Sequence, residues 1–219
     1  MPRLLFEKKG NAVWISHLDL MRLFQRAFQR AGLNLTHTQG YNPRPSVSIA
    51  LPLSVGVESS CELLDFELDG QTVDNKEILT RLNQSLVEGI RVLRVYDNKQ
   101  KIRELAYLDC SVILEYDSGV EEDAVAEIQA LFARDALPVM KKSKNGPTEQ
   151  DIIPMIRRIR VNLADANTLR LDALVCCQNP SLNPAQLAAA VADYLPHRKP
   201  DHSYCVRNEI YSAKENIFR

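Results

Sequence analysis

The chain has no long apolar run. Nothing in its 219 residues approaches the ~18–20 consecutive apolar positions of a membrane-spanning helix. Its N-terminus, Met-Pro-Arg-Leu-Leu-Phe-Glu-Lys-Lys-Gly, lacks a signal-peptide core followed by a small-residue cleavage site. The expectation is a cytoplasmic protein without a membrane partner. Cysteine is sparse and unpatterned: Cys61, Cys110, Cys176, Cys177 and Cys205 are odd in number and scattered, which argues against a disulfide framework. No Cys-x-x-Cys offers a structural zinc site, and no Cys-x-x-x-Cys-x-x-Cys offers an iron–sulfur site. The thiols read as small buried hydrophobes, with adjacent Cys176 and Cys177 on opposite faces of a strand-like run. A P-loop, a dinucleotide fingerprint, Gly-x-Ser-x-Gly and His-Glu-x-x-His are all missing. No cofactor, metal or catalytic residue is therefore expected. Excess charge is missing too, at a formal net charge of -1.

What is present is an ordinary globular composition, 45% hydrophobic and 25% charged, in a length that suits one large or two small domains. Residues 3–8 read as a strand, and 12–15 as a short return strand. Ser16 offers an N-cap with Asp19 at the capping-box position, so a helix is predicted over 17–31, ending at Gly32. Leu20, Met21, Phe24, Ala27, Phe28 and Ala31 share its apolar side. Extended segments follow at 47–51 and 64–68, then a helix at 74–86 and a strand at 90–96. The second half repeats the pattern: strand 107–116, helix 121–132, extended 137–142 and 156–163 around a loop at 143–147, strand 169–177, helix 184–195, strand 204–212. The resulting expectation is an α+β protein of two tandem ferredoxin-like (β-α-β-β-α-β) lobes with antiparallel sheets. The lobes span residues 1–97 and 106–219, joined by a linker at 98–105.

Charge is segregated along the chain although it nearly cancels in sum. Residues 20–57 contain no Asp or Glu but carry Arg22, Arg26, Arg30 and Arg44; residues 58–77 reverse the sign, with Glu58, Glu62, Asp65, Glu67, Asp69, Asp74 and Glu77. At 100° per residue, Arg22, Arg26, Gln29 and Arg30 lie together opposite the apolar face of the first helix. Unpaired arginines in such a row suit phosphate. The bland alternative is a solvated face, or pairing with the acidic stretch. The Gly/Pro-rich loop 36–45 carries His37, Tyr41, Asn42 and Arg44, residue types that hold single-stranded RNA bases and phosphates. Its alternative is a turn in which Tyr41 packs down. Lys141, Lys142 and Lys144 cluster before a Gly-Pro turn and form a second candidate anion contact, against a solvated hairpin tip. Arg160 is expected opposite Asp172 in a cross-strand ion pair.

Three segments carry a family resemblance: Ile15-Ser16-His17-Leu18-Asp19-Leu20-Met21-Arg22-Leu23-Phe24-Gln25-Arg26-Ala27, Gln39-Gly40-Tyr41-Asn42-Pro43-Arg44-Pro45 and Leu51-Pro52-Leu53-Ser54-Val55-Gly56-Val57-Glu58-Ser59. In this order and spacing the chain resembles the radical-SAM-linked family, a bacterial domain of unknown function found alone or fused behind a radical SAM domain. The resemblance implies a radical SAM protein as functional neighbour and a pathway near RNA processing and the ribosome. It supplies no catalytic residue.

The preferred reading is a non-catalytic RNA-binding or RNP-associated accessory protein. Its contacts would be Arg22, Arg26, Arg30, His37, Tyr41 and Arg44, with Lys141, Lys142 and Lys144 as a second set. The alternatives are a substrate-presenting subunit for a radical SAM enzyme, and an RNA endonuclease using His17 as general base. An RNA-recognition-motif mode is disfavoured, because the strand at Phe66 presents Asp65 and Glu67 on its other face.

Overall fold

The computed structural model describes residues 2–70, 72–98, 100–143 and 146–219, and of Lys142 and Ser143 the backbone alone. The chain divides into two compact units, Met1–Ile102 with Arg219, and Arg103–Phe218. Among the described residues there are four α-helices, and every strand pairing described below is antiparallel, so the chain is α+β.

In the first unit, β1 (Pro2–Lys8), α1 (His17–Arg30), β2 (Val47–Ile49), β3 (Glu58–Phe66), α2 (Asn75–Ser85) and β4 (Ile90–Asp97) follow one another. The strands lie in the order β4-β1-β3-β2. Helix α1 begins where its cap dictates. Ser16 Oγ accepts the Asp19 backbone N–H at 3.2 Å and donates to the Asp19 carboxylate at 2.7 Å, a cap worth about 1 kcal/mol. It stops before Gly32, whose φ of +67° ends the helix at no steric cost. Its buried side is Leu20, Phe24, Ala27 and Phe28. Phe24 meets Phe6 of β1 edge-on at 4.7 Å, and Phe28 lies 5.0 Å from Phe66 of β3. Each such burial contributes about 1.5–3 kcal/mol, which fixes the helix to the sheet and leaves its arginine side outward.

The short strand expected at 12–15 is instead a 3-10 turn, Gly10–Trp14. The buried Lys8 ammonium donates to the carbonyls of Val13 at 3.0 Å and Ile15 at 2.9 Å. Those carbonyls find their partner in a side chain and need no strand beside them. The acidic face of β3 is also less exposed as charge than the alternation suggests. Asp65 accepts two bonds from Arg3, which is fully buried and stands directly opposite it on β1.

In the second unit, β5 (Leu105–Glu115), α3 (Asp123–Phe132), β6 (Pro138–Ser143), β7 (Gly146–Asp151), β8 (Ile156–Asp165), β9 (Thr168–Cys176), α4 (Ala185–Tyr194) and β10 (His202–Ser212) follow in order. Four of these strands form a sheet in the order β10-β5-β9-β8. Among the described residues, strands β6 and β7 pair only with each other, so a hairpin is inserted between α3 and β8; of the loop expected at 143–147, residues 144 and 145 lie outside the described residues. Strand β7, Gly-Pro-Thr-Glu-Gln-Asp, has no apolar alternation and is invisible to a period-2 reading. Arg160 does stand opposite Asp172, but Asp172 is taken by Arg170 at 2.7 Å and by Ser111 at 2.7 Å. The expected Arg160 ion pair is therefore replaced by one made within β9.

All five cysteines are free thiols; Cys61, Cys110 and Cys205 are buried, and Cys176 and Cys177 half-buried. Burial pushes Cys177 and Cys205 up to about 11 and raises Cys110 and Cys176 as well. Thiols so placed are protonated at neutral pH and poor nucleophiles.

Candidate nucleic-acid interface

The outward side of α1 carries the three predicted arginines, and the structure sorts them by partner. Arg22 bonds Asp19 one turn earlier at 3.0 Å, with both side chains largely exposed. Arg30 donates to the Ser85 carbonyl at 2.5 Å. Arg26 is exposed and has no side-chain hydrogen bond or ion pair among the described residues. Pairing with the acidic stretch 58–77 does not occur among the described residues: Asp65 faces Arg3, Glu77 pairs with Arg81, Asp74 caps α2, and Glu67 accepts from Thr36 at 3.2 Å. The arginines thus remain directed to solvent.

Two grooves in the first unit share Arg26. One, of about 350 Å³, runs beside α1 between Asp19, Arg22, Leu23, Arg26 and Arg30 on one side and Val87 on the other. The second, of about 540 Å³, has Phe28, Leu33 and Leu35 beneath and Gln25, Arg26, Gln29, Asn34, His37 and Asp69 around it. Its polar groups offer both donors and acceptors, the pairing capacity that reads the edges of an unstacked base. Sequence reading missed Gln25, Asn34 and Asp69. Gln25 and Gln29 lie one turn apart beside Arg26, which is the signal that could have found Gln25.

The loop at 36–45 is a small projecting hairpin, tied by Thr38 N–H to the Arg44 carbonyl at 2.8 Å, Ser46 N–H to the Thr36 carbonyl at 2.8 Å, and Arg44 N–H to Thr38 Oγ1 at 3.0 Å. Its base, at His37 and Pro45, lines the second groove, whereas Tyr41 at the tip is fully exposed. The alternative in which Tyr41 packs down does not hold. Arg44 is exposed, and its guanidinium has no partner among the described residues. Arg22, Arg26, Arg30 and His37 therefore share continuous grooves, while Tyr41 and Arg44 stand on the hairpin rising from them. Lys141 is half-buried on β6 of the second unit; the side chain of Lys142 and all of Lys144 lie outside the described residues.

His17 opens α1, and its Nδ1 is buried with no hydrogen-bond partner in the structure. Among the described residues no three His, Cys, Asp or Glu side chains are grouped so as to hold a metal ion. No helix there is long and apolar enough to cross a membrane.

Two expected results follow from local electrostatics. Bonds from Ser16 and then Arg22 lower the pKa of the Asp19 carboxyl, so it is a full charge that holds Arg22 back. Asp19→Asn keeps an acceptor for the cap and removes that charge. With that like charge gone, a single-stranded oligoribonucleotide should bind a few-fold more tightly in a fluorescence anisotropy titration. Unchanged affinity would put the phosphates away from Arg22. In the second unit, Arg198 bonds Glu127 at 2.9 Å and Asp123 at 2.6 Å, and His197 bonds Glu127 at 2.7 Å. These bonds, Arg198 first, hold the Glu127 carboxyl down to about 2 from an ordinary 4.5. The contact stabilises the fold above pH 4.5 and is lost as the pH falls toward 2. Melting temperature should therefore drop more steeply over that window in the wild type than in Glu127→Gln, and equal slopes would contradict the pairing. Arg198 is committed to these carboxylates and is poorly placed to bind phosphate.

In fold, the chain is similar to one in the crystal structure of a Cbf5-Nop10-Gar1 complex, with a TM-score of 0.54 and 8% identity over 95% of this chain and 48% of that one. The chain thus spans about half the length of that neighbour, and at such identity the likeness is one of fold alone. An unknown protein from Galdieria sulphuraria aligns over 94% of this chain and 96% of its own at 13% identity, but its TM-score of 0.26 carries no argument. No curated protein matches the sequence. A protein family matches residues 2–184, most of the chain, and the chain belongs to it: DUF2344, an uncharacterized protein family conserved in bacteria.

Proposed function

We propose that the chain is a non-catalytic accessory protein of the bacterial cytoplasm that binds single-stranded RNA through its first unit and works beside a radical SAM protein. The observation that carries the RNA reading is the placement of Arg26. It is exposed, has no partner among the described residues, and stands where an arginine-lined groove meets an amide- and histidine-lined one. Phosphates would follow Arg22, Arg26 and Arg30, a base would enter the groove at Gln25, Gln29, Asn34 and His37, and Tyr41 and Arg44 would close on it from the hairpin. Lys141, Lys142 and Lys144 would be a second set of contacts to RNA. Each unit reads as a ferredoxin-like lobe, at 1–97 and 106–219 about the linker 98–105. The strand orders β4-β1-β3-β2 and β10-β5-β9-β8 support this, the second lobe carrying the β6–β7 hairpin as an insertion.

The test is RNA crosslinking in cells followed by sequencing. Discrete RNAs are expected with the wild-type chain, and their loss with Arg26→Glu; a protein that crosslinks to nothing would overturn the reading. The link to a radical SAM protein rests on the motifs at Ile15–Ala27, Gln39–Pro45 and Leu51–Ser59. It favours a second reading, a docking subunit that needs no RNA. In that case a radical SAM protein is recovered with the chain after nuclease treatment, and recovery of ribosomal material alone would count against it.

A further inference from the structure

Trp14 is the only tryptophan of the chain, and 70% of it is exposed. A large apolar ring left in water needs a reason, and its setting supplies one. Trp14 ends the 3-10 turn Gly10–Trp14 and lies against Gly56, with ring atom Cζ3 3.5 Å from where a Cβ on that glycine would be. Gly56 is at φ +83°, and its N–H donates to the Val13 carbonyl at 2.9 Å, so the ring's support is tied to the residue before it. Beneath the turn, the buried Lys8 ammonium holds the carbonyls of Val13 and Ile15 on either side of Trp14. The backbone that carries the ring is held in place before anything binds.

Two further apolar residues are exposed here, Leu18, four positions on in the chain, at 66% and Val55, next to Gly56, at 52%. Leu18 also opens the outward row of α1, with Arg22 and Arg26 following at steps of four residues, about 6 Å each along the axis. An exposed indole thus precedes, by one turn of chain, the helix whose outward row carries the arginines. Two carboxylates are engaged here: Asp19 by Ser16 and Arg22, and Glu58 by the Gly10 N–H at the start of the same turn.

We propose that Trp14, rimmed by Leu18 and Val55, is the stacking platform for a base of the single-stranded RNA whose phosphates follow Arg22, Arg26 and Arg30. The inference rests on the RNA-binding reading and adds its aromatic anchor. An aromatic platform beside a basic track is how single strands are held with little sequence preference, because every base has a π face. Charge complementarity selects this occupant over an apolar protein segment, which would have no use for three adjacent arginines.

Because no other tryptophan is present, its emission reports this site alone. The full chain is titrated with a fluorescein-labelled 12-nucleotide oligoadenylate, following label anisotropy, and in parallel with the unlabelled strand, following tryptophan emission. The expected result is quenching that saturates at the concentration where anisotropy saturates. Trp14→Ala should weaken binding about 5- to 100-fold, and Trp14→Phe much less. A rise in anisotropy with unchanged tryptophan emission overturns the platform and leaves the RNA reading standing; so does wild-type affinity in Trp14→Ala, which would hand the patch to a protein partner. No anisotropy change at any concentration overturns both. The quenching measurement uses the wild type and is decisive even if Trp14→Ala folds poorly.

Discussion

Reversing Arg22 and Arg26 together to glutamate should lower affinity for single-stranded RNA by about 100-fold or more while leaving the fold intact. Each reversal removes an attraction of about 1 kcal/mol to a contacting phosphate and adds a repulsion of similar size. Two sites thus supply about 4 kcal/mol before screening, and about 100-fold survives a moderate discount for salt. The fold should tolerate the change, because both side chains project from the exposed side of α1 and contribute nothing to the core at Leu20, Phe24, Ala27 and Phe28. The exposed Arg22–Asp19 pair is lost, at a cost within about 1 kcal/mol. Urea denaturation is the control and anisotropy the readout. Affinity within a factor of three of wild type would remove this face from the interface.

Asp65→Ala should have the opposite profile, with little direct effect on RNA and a large loss of stability. Arg3 is completely buried, and its Nε and Nη2 reach Asp65 at 2.5 and 2.9 Å across the β1–β3 pairing. Taking away the carboxylate deprives a buried guanidinium of the Asp65 charge. The contact from Nη2 to the Gln100 carbonyl at 3.3 Å is a weak substitute. The expected cost is about 3–5 kcal/mol, a large part of the 5–15 kcal/mol that typically separates folded from unfolded states. The double replacement Arg3→Met with Asp65→Leu should recover most of it, since an apolar pair avoids desolvating two charges. Urea midpoints of the three variants test this. Asp65→Ala within 1 kcal/mol of wild type would mean that the pair holds nothing.

These two cases show what could be read in advance. The position of α1 was legible because its signals are local: the Ser16–Asp19 cap, the apolar spacing from Leu20 to Phe28 and the stop at Gly32 all lie within the helix itself. The outward direction of Arg22, Arg26 and Arg30 followed from the same periodicity. What required tertiary structure was partner choice. Alternation placed Arg160 opposite Asp172 correctly, yet geometry gave that carboxylate to Arg170 and Ser111. The acidic residues of β3 looked like a repulsive face because Arg3, at the other end of the unit's sequence, could not be seen to neutralise Asp65. Residues 12–15 looked like a strand because nothing local reveals that Lys8 turns inward to take the carbonyls of Val13 and Ile15. The turn leaves Trp14 exposed. The grooves on either side of Arg26 come from four separate segments, α1, residues 33–45, the residues around Asp69 and those around Val87, whose meeting no single stretch of sequence encodes.

The central claim is that the arginine side of α1 neutralises RNA phosphates, and the salt dependence of binding tests it most directly. The full chain is titrated with a labelled single-stranded oligoribonucleotide at a series of salt concentrations between about 50 and 200 mM. Three or four phosphates at about 0.7 ions released per contact predict that log affinity falls against log salt with a slope of roughly −2 to −3. That slope, reduced by about 1 or more in Arg22→Glu with Arg26→Glu, is the result expected here. A slope near zero, or no binding at the lowest salt, would contradict it.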